Sequence, residues 1–184
     1  MARGTLFLVV GPSGAGKDTL IAGARAALEP GGAYVFPRRA ITRPEGAGGE
    51  DHEAVSPAAF AARAADGGFF ATWRAHGLAY GLPGWIPARL ESGRHVVVNV
   101  SRAILADVAE RVGPMAVVEI AAPPEVRARR LADRAREDEA DAARRLAREG
   151  APFPDGIPVR RVVNDGTPEE GIARFIAALT EADA

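Results

Sequence analysis

The amino-acid sequence predicts a three-layer α/β domain built on a mainly parallel sheet, and three observations lead there. Short apolar, β-branched runs alternate with stretches of helical spacing along the chain. One run, Leu6 to Val10, passes directly into a Gly-rich loop and then a helix. Another, His95 to Val100, is Val-rich on both faces, as suits a parallel strand buried between helix layers.

Taken in order, Leu6 to Val10 is a strand, and Lys17 to Leu28 a helix with Leu20, Ile21 and Leu28 apolar. Glu29-Pro30-Gly31-Gly32 stops that helix, and Ala33 to Phe36 forms a short strand. Arg38 to Val55 is polar, Gly-rich and nonperiodic, longer than an ordinary connection, and ordered loops of that length tend to be functional. Ser56-Pro57 is an N-cap and first-turn pair for a helix to about Ala65, which Asp66-Gly67-Gly68 ends. The stretch from Arg38 to Ile86 therefore reads as a compact substrate-binding insertion. After the strand at His95 come a helix from Ala103 to Val112, a strand from Met115 to Ala121, and helices from Pro124 to Arg136 and from Asp138 to Glu149. Val159 to Val163 is a last strand, and Thr167-Pro168-Glu169-Glu170 starts a terminal helix carrying Ile172, Phe175, Ile176 and Leu179 on one face.

Residues 1–184 suit a single domain with one apolar core. A net charge of -1 argues against a dedicated nucleic-acid binder, because phosphate backbones are gripped by an excess of Lys and Arg, so any anion site must be local. The chain has no Cys, which excludes disulfides and thiolate metal sites and agrees with a cytoplasmic setting. The apolar run at Thr5 to Val10 is too short for a membrane span and leads into a Gly-rich loop, so a buried strand is expected there and no membrane association. Monomer and homodimer both stay open.

Of the 23 basic residues, 22 are Arg and one is Lys17, inside the Gly-rich loop. A GC-rich genome would account for the bias alone. At this position, however, a compact ammonium on a flexible stem is what reaches nucleotide phosphates, where a branched guanidinium crowds them. Gly11-Pro12-Ser13-Gly14-Ala15-Gly16-Lys17-Asp18 matches the Walker A pattern of P-loop NTPases through its lysine, between a strand and a helix as that motif requires. Glycines let backbone N–H groups turn toward phosphate oxygens, and the helix beginning near Lys17 adds its positive dipole end. Lys17 is thus the expected catalytic cation, neutralising charge on the transferred phosphoryl group. The last position departs from the pattern: Asp18 stands where Ser or Thr ligates Mg²⁺, so Asp18 is the candidate metal residue, direct or through water. Thr19 completes the nucleotide-binding stretch, although on a helix its side chain turns elsewhere.

Arg127, Arg130 and Arg134 recur at helical spacing, and Arg136, Arg144, Arg145 and Arg148 follow, interleaved with acids. Most of these suit a salt-bridged surface; one or two suit a lid over residues 127–149 that closes on the nucleotide and expels water.

The loop GPSGAGKD, the segment ITRPEGAGGEDHEAVS, the block AHGLAYGLP, the strand VVVNVSRA and the tail VVNDGTPEE together resemble the guanylate kinase superfamily over essentially the whole chain. Within it the sequence is similar to the ribose 1,5-bisphosphate phosphokinase family, bacterial enzymes that make phosphoribosyl diphosphate in phosphonate degradation. Shared features are Asp after the P-loop lysine, GGEDH in the acceptor region and the VVVN-SRA strand. Guanylate kinases read the base with a Glu and a hydroxyl residue, and here those positions are Ala71 and Leu82 or Pro83. The acidic pair at the end of the central strand is replaced by Asn99 and Ser101, and the phosphate-binding Tyr by His52.

The resemblance implies ATP and Mg²⁺ as cofactors and a small phosphate-bearing acceptor, ribose 1,5-bisphosphate, converted to 5-phospho-α-D-ribosyl 1-diphosphate. It implies that Lys17, Arg134 and Arg145 act on the transferred phosphoryl group. Arg38, Arg39, Arg43, His52, Tyr80, Asn99, Ser101 and Arg102 would hold the acceptor, and Asn164 and Asp165 would contact adenine. For several of these a plainer role is open: Tyr80 packing under the insertion, His52 capping a turn, Arg38 or Arg39 in surface pairs, and Trp73 and Trp85 in core or hinge packing. Two rival functions stay in view, a guanylate kinase and a noncatalytic guanylate-kinase-like binding module.

Overall fold

The computed structural model describes residues 2–47, 50–133 and 152–181. Its centre is an all-parallel sheet of five strands: β1 (Leu6–Val10), β2 (Tyr34–Val35), β7 (His95–Asn99), β8 (Met115–Ala121) and β9 (Val159–Val163), in the order β2-β7-β1-β8-β9. β1 is central, with Phe7 opposite Val97 of β7 and Ala116 of β8. Because side chains alternate along a strand, β1 feeds two cores. Leu6, Leu8 and Val10 join Val96, Val98 and Val117 on one face, and Phe7 and Val9 join Val97, Val118 and Ile120 on the other. Both faces are apolar because both are covered, as the Val-rich strands require.

Helix α1 (Lys17–Leu28) and the last helix described, α6 (Pro168–Thr180), cover the second face, burying Leu20, Ala24, Phe175 and Leu179. The start of α6 is fixed locally: Thr167 Oγ1 accepts from Glu170 N, and the Glu170 carboxylate accepts from Thr167 N, a reciprocal capping box. On the first face lie α3 (Ile86–Glu91) and α4 (Leu105–Ala109), contributing Ile86, Leu90, Leu105 and Val108. Helix α5 (Pro124–Asp133) leaves the end of β8, and α2 (Pro57–Ala65) is capped by Ser56 Oγ, which accepts from Ala59 N.

The polar stretch after Arg38 is less irregular than its composition suggests. It holds two short strands, β3 (Ala40–Ile41) and β4 (Glu53–Ala54), which join the hairpin β5 (Phe69–Ala75) and β6 (Leu78–Pro83) in a second sheet, ordered β4-β3-β6-β5. The hairpin closes on His76 and Gly77 with φ of 53° and 71°, both in the left-handed region that two-residue hairpin turns require. Two-residue strands leave no period to read, which is why composition alone gave a loop here. The stretch expected as one helix over Ala103 to Val112 divides into a 3-10 turn at Arg102–Ile104 and the shorter α4. The helix expected over Asp138 to Glu149, with Arg134 and Arg145, lies outside the described residues. Among the described residues no helix is long and apolar enough to cross a membrane.

Candidate active site

The C-terminal ends of β1, β7 and β8 converge on the loop Gly11 to Gly16, where ligands of open α/β sheets bind. Gly14 and Gly16 have φ of 78° and 90°, and Gly16 is the N-cap of α1. A Cβ on Gly16 would also stand 2.5 Å from Asn164 Nδ2, so both conformation and space demand glycine there. The loop's carbonyls are gripped from outside. Asn164 Nδ2 donates to Ala15 O at 2.7 Å, Arg130 Nη1 to Ala15 O at 3.4 Å and to Asn164 O at 3.1 Å, and Arg127 Nε to Ser13 O at 3.2 Å. A trans peptide points its N–H opposite its C=O, so these contacts turn the N–H groups of Gly14 and Gly16 to the other side, as an anion nest needs. Lys17 Nζ donates to Gly11 O at 2.7 Å and Pro12 O at 3.0 Å, holding the ammonium within the loop.

Facing the loop across a cleft of about 900 Å³ is the wall made by the small sheet. Trp73 and Tyr80 are cross-strand partners whose rings stack at 5.2 Å and 8°. The guanidinium of Arg39 lies 5.6 Å and 5.2 Å from the two ring centroids, a cation–π arrangement. Glu50 holds Arg39 at both ends of the fork, Nε to Oε1 at 2.6 Å and Nη2 to Oε2. Arg39 is buried at 7% exposure, so pairing with Glu50 satisfies what would otherwise be a costly desolvated cation. Ala71 and Leu82 oppose each other on the same face of the hairpin but are buried at 3% and 0% in the apolar core. Pro83, the other position at which the resemblance puts a base-reading hydroxyl, is buried as well and pairs with Phe69.

The cleft brings together Gly11, Pro12, Ser13 and Lys17 with Arg39, Tyr80, Asn99, Ser101 and Arg102. Asn99 Nδ2 approaches Asp18 Oδ1 at 3.5 Å, and Ser101 Oγ accepts from Ala103 N at 3.4 Å. Arg102 donates from Nη2 to Glu119 Oε1 at 2.8 Å and lies 4.3 Å from the centroid of the Phe153 ring.

Other expected site residues stand elsewhere. Arg38 donates to Asp51 Oδ1 at 2.9 Å and to His52 O at 2.6 Å, and Asp51 also takes Arg25 of α1 at 3.1 Å. His52 is buried with Nδ1 2.9 Å from Glu50 O and Nε2 3.3 Å from Arg43 O, the turn-capping arrangement. These two residues thus build the segment that carries Arg39 and Glu50. Arg43 has Nε and Nη2 buried with no hydrogen-bond partner among the described residues. Asn164, expected at the adenine, is 3% exposed under the phosphate loop, with Nδ2 donating to Ala15 O. Asp165 is exposed and pairs with Arg174 at 2.8 Å, a hydrogen bond that holds its carboxyl below the usual range. Thr19 is exposed on α1.

Sequence reasoning passed over Glu119, Arg161, Arg74 and His76, which also line the cleft, and the loop-bracing role of Arg127 and Arg130. A charge inside the otherwise apolar strand Met115–Ala121 was the available signal for Glu119. Nothing in helical spacing separates an arginine that braces a loop from one that faces water.

No protein-family model matches the chain. The bifunctional ribose 1,5-bisphosphokinase-thymidine phosphorylase of Azorhizobium caulinodans is 55% identical over 179 residues, covering 97% of this chain and 26% of that protein. The corresponding bifunctional protein of Cupriavidus pinatubonensis is 54% identical over 96% of this chain and 29% of its own length. The chain thus spans little more than a quarter of these two relatives. It spans nearly all of a third, the ribose 1,5-bisphosphate phosphokinase of Methylobacterium radiotolerans, at 50% identity, 96% of this chain and 97% of that protein. Among solved structures, a guanylate kinase from Anaplasma phagocytophilum superposes with a TM-score of 0.63 at 16% identity, covering 95% of this chain and 84% of its own. A gluconokinase from Sinorhizobium meliloti gives 0.55 at 18% identity, with 97% and 93% covered. The two structural likenesses concern the fold.

Proposed function

Since the chain belongs to the ribose 1,5-bisphosphate phosphokinase family, we propose that it transfers the terminal phosphoryl group of ATP to ribose 1,5-bisphosphate, giving ADP and 5-phospho-α-D-ribosyl 1-diphosphate. One observation carries the choice of acceptor: the wall facing the phosphate loop offers Arg39 over Trp73 and Tyr80, while the neighbouring positions Ala71 and Leu82 are apolar and buried. Such a wall suits phosphate and sugar groups. It leaves a guanine edge without partners, at a cost of roughly 1–3 kcal/mol per unpaired group.

The acceptor atom is a phosphate oxygen, anionic near neutral pH, so no strong general base is required, and positioning with charge neutralisation does the work. Loop amides and the start of α1 take the ATP phosphates, and Lys17 leaves the Gly11 and Pro12 carbonyls to follow the transferred group. Arg39 and Tyr80 take the acceptor from the other side of the cleft, and Arg43, which does not line the cleft, is given to the acceptor by the resemblance. Arg134 and Arg145 close on the γ-phosphate as a lid, an assignment that rests on the resemblance. Residues 38–86 act as the acceptor-binding insertion of a single kinase domain working in the cytoplasm. The hard oxygens of Asp18 and Asn99 beside Lys17 fit Mg²⁺, which when bound neutralises charge on the β and γ phosphates.

The test is ADP release measured side by side with ribose 1,5-bisphosphate and GMP. Turnover with the sugar bisphosphate supports the reading; a preference for GMP would replace it with guanylate kinase activity, and ATP binding without transfer to either would favour a binding module.

A further inference from the structure

The phosphate loop departs from its pattern at Asp18, the strand end beside it departs at Asn99, and the fold puts the two departures in contact. Asp18 follows Lys17 in the first turn of α1, and Asn99 ends β7, the strand paired with β1. Asn99 Nδ2 stands 3.5 Å from Asp18 Oδ1 with the amide donating. P-loop enzymes commonly hold the nucleotide's metal between a neutral hydroxyl after the lysine and a carboxylate from a strand. Here the carboxylate stands on the helix and the neutral group on the strand. Either arrangement supplies one negative charge and one neutral oxygen.

We propose that Asp18 and Asn99 form one charge-exchanged cation site, in which Asp18 is the carboxylate facing the divalent ion of the bound nucleotide and Asn99 is the residue that positions it. A carboxylate at both positions would double the negative charge beside the phosphates, and none would leave the ion with neutral donors only. The Asn99 amide faces Oδ1 of Asp18 at 3.5 Å, the outer limit of a hydrogen bond, so the two side chains meet with Oδ2 and the Asn99 oxygen as further hard donors, and a neutral amide beside a metal-ligating carboxylate is a usual way of orienting it. The proposal rests on the nucleotide-binding half of the reading above and is independent of the acceptor.

The experiment uses Mn²⁺ as probe and the purified chain saturated with ADP, with free Mn²⁺ followed by electron paramagnetic resonance, so that no phosphoryl transfer is needed. Asp18→Ser should weaken Mn²⁺ binding by about tenfold or more, and Asn99→Asp added to Asp18→Ser should restore it to within about threefold of the parent. Asn99→Ala should weaken Mn²⁺ by several-fold while the thermal unfolding midpoint stays near that of the parent. Unchanged Mn²⁺ affinity in Asp18→Ser, or failure of the added Asn99→Asp to restore it, overturns the proposal. Should Asp18→Ser not fold, the near-isosteric Asp18→Asn replaces it with the same expectation. Loss of the acceptor assignment in the ADP-release assay leaves this result standing, and failure of the exchange leaves the acceptor assignment standing.

Discussion

Asn164, just past the end of β9, donates its side-chain amide to the carbonyl of Ala15 at 2.7 Å, so the last strand of the sheet is tied directly to the phosphate loop. The same residue's backbone carbonyl accepts from Arg130 at 3.1 Å, and α5 is drawn into the brace. The shape of the nucleotide site is thus held by residues that need not touch the nucleotide.

Asn164→Ala should therefore lower stability by about 1–3 kcal/mol, the cost of stranding a buried partner, and should weaken ATP and GTP alike. Denaturant unfolding together with calorimetric titration of both nucleotides checks this. A variant that loses only its preference between the two bases would return Asn164 to the adenine site.

For Lys17→Ala the expectation is an intact fold and turnover reduced by about 10²-fold or more, through lost stabilisation of transferred charge. Lys17 Nζ donates to the Gly11 and Pro12 carbonyls of the half-buried loop, a surface position whose loss opens no cavity in the apolar core. Circular dichroism and steady-state kinetics on one preparation decide the matter, and near-normal turnover in a folded variant would remove Lys17 from the mechanism.

Arg43 carries two buried guanidinium nitrogens without hydrogen bonds among the described residues, an expensive state unless a ligand completes it. Arg43→Ala should raise KM for ribose 1,5-bisphosphate by at least about tenfold while leaving KM for ATP within about threefold, as loss of a charge-assisted contact implies. Equal increases for both substrates would make Arg43 a scaffold residue. In the parent protein, kcat/KM should favour the sugar bisphosphate over GMP by at least about 10²-fold, since two or so buried hydrogen bonds to the base cannot be made.

His95 gives a pH dependence unconnected with catalysis. Its Nδ1 accepts from Thr5 N at 3.1 Å and its ring stacks on Tyr34 at 4.9 Å, so the neutral form is the one the fold holds. Burial lowers its pKa from the ordinary 6.5. The folded protein then binds fewer protons than the unfolded chain between that lowered value and 6.5, so stability declines as pH falls through this window and levels off below it. His95→Gln should flatten this part of the curve in urea melts taken from pH 7.5 to 5, while an unchanged slope would assign the loss to other groups.

Much of this molecule could be read before it was seen. The strands at Leu6, Met115 and Val159 and the helices starting at Lys17, Pro57 and Pro168 stand within the expected limits, because each carries a strong period and a local stop or cap. The second sheet could not be read in that way: β3 and β4 are two residues each and exist only through pairing with partners distant in sequence. Trp73 and Tyr80 could be named from the sequence, but a stacked pair under Arg39 depends on the register of the hairpin.

By itself the sequence determined the α/β class and the phosphate loop with its single lysine. These are local properties of spacing, residue type and backbone freedom. Tertiary structure decided which of the many arginines brace the phosphate loop, which face the cleft and which tie the insertion to α1. It also decided that Asp18 and Asn99 meet, and that Asn164 lies under the loop. Their physical reason is common: a charged or amide side chain takes its role from the partner it reaches, and those partners are brought together only when the strands pair.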